Sequence, residues 1–226
     1  MTTFLAPEQA EPVAWEGALE PLAKGLGGGA PPRVSLGRPV AWDAAAAVKG
    51  ELGRAWTPPA DDLAYTLIGL ATLHPPGERD GRYAEVSLEA HLRPRYGQGT
   101  AVAHDLFPLQ QTVPEMGSVT VGLTPALKFA KAIDVKLLEV GVEKAFAAAF
   151  PVIQAYGLGE PDPYWQFKRH AQFPLLGSQR VYLVAAGPRD VPLRLWLNLV
   201  ADVAHRRWGL MRYGQPQAPG SGLSLT

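Results

Sequence analysis

The chain has 226 residues, 47% of them hydrophobic, and its 21 basic residues balance its 21 acidic ones. That size and apolar content suffice for a large core and exclude disorder throughout, while zero net charge excludes wholesale steering toward nucleic acid or an anionic membrane. With no cysteine, disulfides, thiolate catalysis and Cys-ligated metal centres are excluded as well.

The opening residues have no basic n-region with an unbroken apolar core behind it, and no stretch supplies the roughly 18 consecutive apolar residues of a membrane-crossing helix. A cytoplasmic protein is therefore expected, and the abundance of Ala, Gly, Pro and Arg suggests a bacterial one. Three regions differ in texture: an N-terminal Pro- and Gly-rich arm over 1–56, a β-rich domain over 57–212, and a flexible tail over 213–226.

In the arm, Trp15, Ala18, Leu19 and Leu22 recur at helical spacing, with Gly17 and Pro21 limiting that helix to about two turns. A glycine cluster at 25–29 lacks the Lys-Ser/Thr of a phosphate loop, and Pro31 and Pro32 block the helix such a loop needs. Asp43 caps an alanine-rich run, so a second short helix is expected there.

From residue 57 the period becomes two. Residues 61–74 are apolar on both parities, as a strand covered on both faces would be. A Pro-Gly turn follows. Then Tyr83, Glu85, Ser87, Glu89 and His91 alternate with Ala84, Val86, Leu88, Ala90 and Leu92, completing an expected hairpin with one face in the core. Glu85 and Glu89 read as solvated residues, too far apart to share a proton, and Asp61 and Asp62 as turn-capping carboxylates.

Residues 132–150 fit two patterns. Ile133, Val135 and Leu137 alternate, then Leu138, Val140 and Val142 alternate on the other parity, as a strand with a β-bulge would, while a helical stripe runs through many of the same side chains. The β-branched residues and Gly141 favour the strand.

Farther on, Trp165, Phe167 and Arg169 alternate with Tyr164, Gln166 and Lys168, and a loop containing Ser178 leads to the apolar run 181–186, which reads as a second hairpin. In 191–203 the alternation is strongest: Leu193, Leu195, Leu197 and Leu199 oppose Arg194, Trp196, Asn198 and Asp202. The sum of these elements is a mainly β chain, an antiparallel sheet or β-sandwich with one or two short N-terminal helices.

Chemical templates fail. The five histidines never pair at metal-ligand spacing, and there is no nucleophile elbow around Ser178. His104 and Asp105, with His170 and Ser178, are the only polar groups left for a hydrolase or ligand-binding site, and no cofactor or metal is expected. The aromatic and basic cluster of Trp165, Lys168 and Arg169, joined by Arg194, Trp196 and Asn198, is the candidate interaction surface, since a Trp flanked by Arg suits a binding hot spot. No nucleic-acid partner is expected. The leading expectation is a non-catalytic interaction module whose partner is another protein or, through long apolar strand edges, its own copies. The alternative is a membrane-acting pore former, because residues 117–150 are long enough for strands of about 9–11 residues per crossing. Against it, Lys136, Glu139, Glu143 and Lys144 do not keep to one parity.

Overall fold

The structure, a computed structural model, describes residues 13–22, 31–44, 58–74, 81–96, 99–114, 149–172, 175, 177–205, 209–214 and 223–225. Every strand pair is antiparallel, and the pairs form two sheets. The first runs β1 (Val13–Ala18), β3 (Arg33–Gly37), β5 (Leu63–His74), β11 (Gly177–Pro188) and β7 (Val102–Phe107), with β4 (Val40–Asp43) also pairing to β5. The second runs β2 (Glu20–Pro21), β13 (Gly209–Gly214), β12 (Leu193–His205), β6 (Gly81–Pro94), β10 (Tyr164–Lys168), β9 (Ala149–Tyr156) and β8 (Gln110–Pro114), with β14 (Leu223–Leu225) pairing to β12.

Period-two alternation decides which face of each strand is covered. Along β12, Leu193, Leu195, Leu199, Ala201 and Val203 are buried, while Arg194, Trp196, Asn198 and Asp202 are half-buried on the other face. Along β6, Val86, Leu88, Ala90 and Leu92 turn inward. Opposing them are Ile68 and Leu70 of β5, Val181, Leu183 and Ala185 of β11, and Ala103 and Leu106 of β7, so one apolar layer joins the two sheets. β5 is apolar on both faces for a reason. Its Tyr65 and Leu67 belong to a second cluster with Ala44, Val184 and Ala186 on the outer side of the first sheet, where Trp42 and Tyr182 pack. Gly69 lies beneath those two rings, each 3.3 Å from where a Cβ would stand.

Several expectations change. The stretch read as a first helix is β1, paired to β3 from Val13↔Gly37 to Ala18↔Arg33. Gly17 leaves the helix too little propensity to compete with a ladder, and Val13 and Trp15 favour strands. No helical element occurs among the described residues, and the alanine run beyond Ala44 lies outside them. The described parts of residues 1–56 contribute strands to both sheets, and Leu223–Leu225, within the stretch read as a flexible tail, pairs with Leu193–Leu195. Of residues 132–150, only Ala149 and Phe150 lie within the described chain, where they begin β9.

Neither expected hairpin forms. β5 and β6 lie in different sheets, as do β10 and β11. Consecutive strands bury the same inward parity whether they lie side by side or face one another across the core, and here they face one another. Tyr83 also departs from the outward row: Asp202 pairs with Glu85 and Val203 with Tyr83, so Ala84 is an extra residue in β6. That bulge turns Tyr83 inward, where its hydroxyl donates to the Arg33 carbonyl.

Candidate functional site

The outer face of the second sheet collects an array of polar and aromatic side chains. β6 sits between β12 and β10, and the ladder aligns Asn198, Glu89, Tyr164 and Tyr156 in one row and Trp196 with His91 in the next. Asn198 donates its amide to the Glu89 carboxylate at 2.8 Å, and Gln166 donates likewise to Glu85. The Tyr156 and Tyr164 rings stack at 4.7 Å with 17° between planes. The two glutamates read as merely solvated are therefore outward-facing yet held by amide donors from the two neighbouring strands.

At one end of this face the loop joining β9 to β10 brings in Asp162. Its carboxylate accepts from His91 Nδ1 at 2.8 Å, and Arg93 Nη2 lies 2.7 and 2.9 Å from its two oxygens. Arg93 also donates to the carbonyls of Leu92 and Pro161, which ties the loop to β6. Partial desolvation raises the Asp162 carboxyl, but the hydrogen bonds from His91 and Arg93 and the charge of Arg93 outweigh it, so its pKa lies below the ordinary value. An ionised carboxylate at Nδ1 places a proton there and directs Nε2 away, 3.9 Å from Glu89 Oε2.

The residues singled out in the sequence fare unequally. Trp165 is fully buried in the core between the sheets, so it offers no contact to a partner. The odd row of β10 faces the first sheet, and Trp165 packs there beside Phe167, with Leu88 and Ala155 as its ladder neighbours. Lys168 is half-buried opposite Glu85, and Arg169 is exposed, its backbone N–H donating to the Ala84 carbonyl. Arg194, Trp196 and Asn198 do share the outer face, with Arg194 opposite Arg93. Aromatic and basic residues thus come together around Trp196 and not around Trp165.

His104, Asp105, His170 and Ser178 do not converge. Asp105 pairs with Val184 and Ala103 with Ala185, which leaves His104 as a bulged residue of β7 on the outer side of the first sheet. The His104 ring stands edge-on to Tyr65 at 5.0 Å, and partial burial pulls its pKa down. Burial pushes the Asp105 carboxyl up to about 6, against the smaller opposing effect of the Leu106 N–H donating to it at 2.9 Å. Ser178 pairs with Leu73, six residues along β11 from Val184, a separation of about 20 Å at the usual rise. His170 lies beyond the end of β10 and packs on Phe150 at 5.3 Å. A hydrolase reading loses its residues by this separation. Among the described residues no group of three His, Asp or Glu side chains is placed to hold a metal ion.

A third feature is topological. β8 and β9, the last two strands at one edge of the second sheet, pair from Gln110↔Gln154 to Pro114↔Ala149. Residues 115–148 therefore leave and re-enter the described fold at a paired antiparallel step.

No protein-family model and no curated protein matches the chain. Solved structures similar to it include the Clostridium perfringens NetB toxin in its membrane-inserted form, at 8% identity and a TM-score of 0.36, covering 85% of this chain and 88% of that one. Clostridium perfringens delta-toxin is similar at 7% identity and a TM-score of 0.34, covering 93% and 86%. A structure described as a pore forming protein is similar at 7% identity and a TM-score of 0.32, covering 92% and 94%. The likeness is weak, and the functional reading rests on this chain's own residues.

Proposed function

We propose that the protein acts on membranes, inserting residues 115–148 as a β-hairpin that joins with those of other copies to form a pore. The observation that carries this reading is the Pro114↔Ala149 pair, which delivers both ends of a 34-residue segment side by side and antiparallel.

The sequence of that segment supports the reading. Odd positions Val119, Val121, Leu123, Leu127, Phe129, Ile133, Val135 and Leu137 are apolar, and Ser118, Thr120, Gly122, Thr124, Lys128, Asp134 and Lys136 stand between them. Past Leu137-Leu138 the parity inverts. Continued from Pro114↔Ala149 with one bulge at that step, the register would set Val121 beside Val142, Leu123 beside Val140, Leu127 beside Val135 and Phe129 beside Ile133. Lys128 would stand beside Asp134 on the opposite face with Glu139 and Glu143. The charges of the segment then obey parity, with three exceptions: Lys131 falls at the turn, and Glu115 and Lys144 at the near end of the span. Residues 120–129 and 133–143 each match the roughly 9–11 residues of one crossing, with one lipid-compatible face and one polar face.

Self-association follows from the same physics. A lone hairpin in hydrocarbon exposes two edges of unpaired backbone groups, each costing several kcal/mol, so only a closed barrel is stable there. Two strands per copy require at least four copies for the smallest such barrels of about eight strands. Dye release from neutral and anionic liposomes tests the function. Because the chain has no native cysteine, single cysteines along 119–129 can carry a polarity-sensitive fluorophore. Leakage with an alternating apolar and polar signal along the segment is expected, and its absence under every condition in which the protein binds vesicles would overturn the reading.

A further inference from the structure

The array on the outer face of the second sheet has no part in the hairpin reading, and its chemistry stands independently of it. Each carboxylate at its centre is held by a donor within the sheet: Glu85 by Gln166, Glu89 by Asn198, Asp162 by His91 and Arg93. Lys168, opposite Glu85, and the facing Arg93 and Arg194 set three cations against those three carboxylates on the same face, so neither sign dominates and the surface keeps acceptors and donors set out at fixed positions. The glutamates retain lone pairs beyond those used by their amide partners, each amide group has a carbonyl oxygen besides its donor, and His91 Nε2 points away from its bonded Nδ1. Between them lie the apolar surfaces of Tyr156, Tyr164 and Trp196, all half-exposed.

An uncharged sugar matches this combination. A pyranose ring carries C–H groups on its faces and hydroxyls around its rim, so it stacks on aromatic side chains while its hydroxyls both donate and accept. The groups are borne by strands and not by mobile loops, and their hydrogen bonds to one another hold their rotamers, which lowers the entropy lost on binding. The row along β6 from Glu85 to His91 spans about 20 Å, longer than one sugar ring and suited to a chain of several.

We propose that this face is a binding platform for a neutral oligosaccharide lying along β6, with Trp196 and Tyr164 as stacking surfaces and Glu89, Asn198 and His91 as its hydrogen-bonding groups. Calorimetric titration with maltohexaose, cellohexaose and the hexamer of N-acetylglucosamine tests it. At least one of these is expected to bind in the micromolar to millimolar range. Trp196→Ala and Tyr164→Ala should each weaken that binding tenfold or more, Glu89→Gln should weaken it several-fold, and Arg212→Ala, away from the row, should leave it unchanged. Near-native circular dichroism and an unchanged melting temperature for Glu89→Gln identify a binding effect separately from a folding one. Failure of all three hexasaccharides to bind at millimolar concentration, or binding that survives Trp196→Ala and Tyr164→Ala in folded protein, overturns the proposal. Binding confined to sialylated or sulfated chains also overturns it.

Discussion

Pro114 and Ala149 stand opposite one another in an antiparallel ladder although 34 residues lie between them in the sequence. A pair with that separation at the end of two edge strands would set the register of any strands continuing from it, and the proposed insertion of the segment assigns its faces on that register.

Charge placed on one parity should therefore abolish activity and on the other should not. Val121→Asp and Leu123→Lys each put an ion on the lipid face, at about 2–4 kcal/mol for a basic residue near the bilayer midplane and less for an acidic one. Both are expected to lose dye release. Thr120→Lys and Thr124→Lys, one step away, should keep release and shift the pore toward anions in reversal-potential measurements. Equal loss from both sets would contradict the assigned faces.

Trp165 fills the core beside Phe167, and no hydrogen-bond partner for its indole N–H is found. Trp165→Ala removes a large fully buried side chain and should destabilise the fold by about 3–5 kcal/mol, seen as a lower denaturant midpoint. An unchanged midpoint would mean that the core does not depend on it.

Asp105 gives the fold a pH-dependent element. Its folded pKa, about 6, stands above the ordinary value of 3.8 because burial penalises the ionised form. The favourable contribution of its protonated form is thus fully present below pH 3.8 and is lost as pH rises through about 6. Asp105→Asn keeps an oxygen for the Leu106 N–H and removes the ionisation. Allowing for the water that still reaches this half-buried group, the variant should be more stable than the parent by about 1 kcal/mol above pH 7, with the two melting curves converging near pH 4. A constant difference across that range would refute the assignment.

Gly157 has φ of +81°, and a Cβ there would stand 2.9 Å from the Pro163 Cα, a backbone atom that cannot swing aside. Gly157→Ala is expected to cost about 1–3 kcal/mol. Because the same loop carries Asp162, the variant should also release the His91 ring, visible as a change in its imidazole NMR signals. Gly159, with the same φ but open space around its Cβ position, should tolerate Ala at a smaller cost.

Sequence periodicity revealed the β architecture and the covered faces of β6 and β12, since alternating Leu and charged residues leave only one way to bury the apolar row. It could not reveal which strands are neighbours. β5 and β6, and β10 and β11, are adjacent in sequence and share an inward parity, a condition that crossing between sheets satisfies as well as a hairpin does. The same ambiguity misplaced Trp165, whose alternation with Tyr164 and Gln166 does not say which of the two rows is inside. His91 and Asp162 are 71 residues apart and meet only because β10 lies against β6, so no local pattern announces them. The alternation over 132–143 lies outside the described residues, and the parity objection at Lys136 and Glu139 stands or falls with the bulge proposed at Leu137-Leu138.

The repeated crossings from one sheet to the other, β5 to β6 and β10 to β11 among them, have a consequence for how the molecule opens. Neither sheet can peel away while β5 remains joined to β6 and β10 to β11, so the sandwich should behave as one cooperative unit with a common exchange rate for its slowest amides. In deuterium uptake, the backbone amides of β5, β6, β11 and β12 should show the same protection in water and on vesicles, with differences concentrated between Pro114 and Ala149. The sandwich would then serve as an unchanging handle for whatever that segment does.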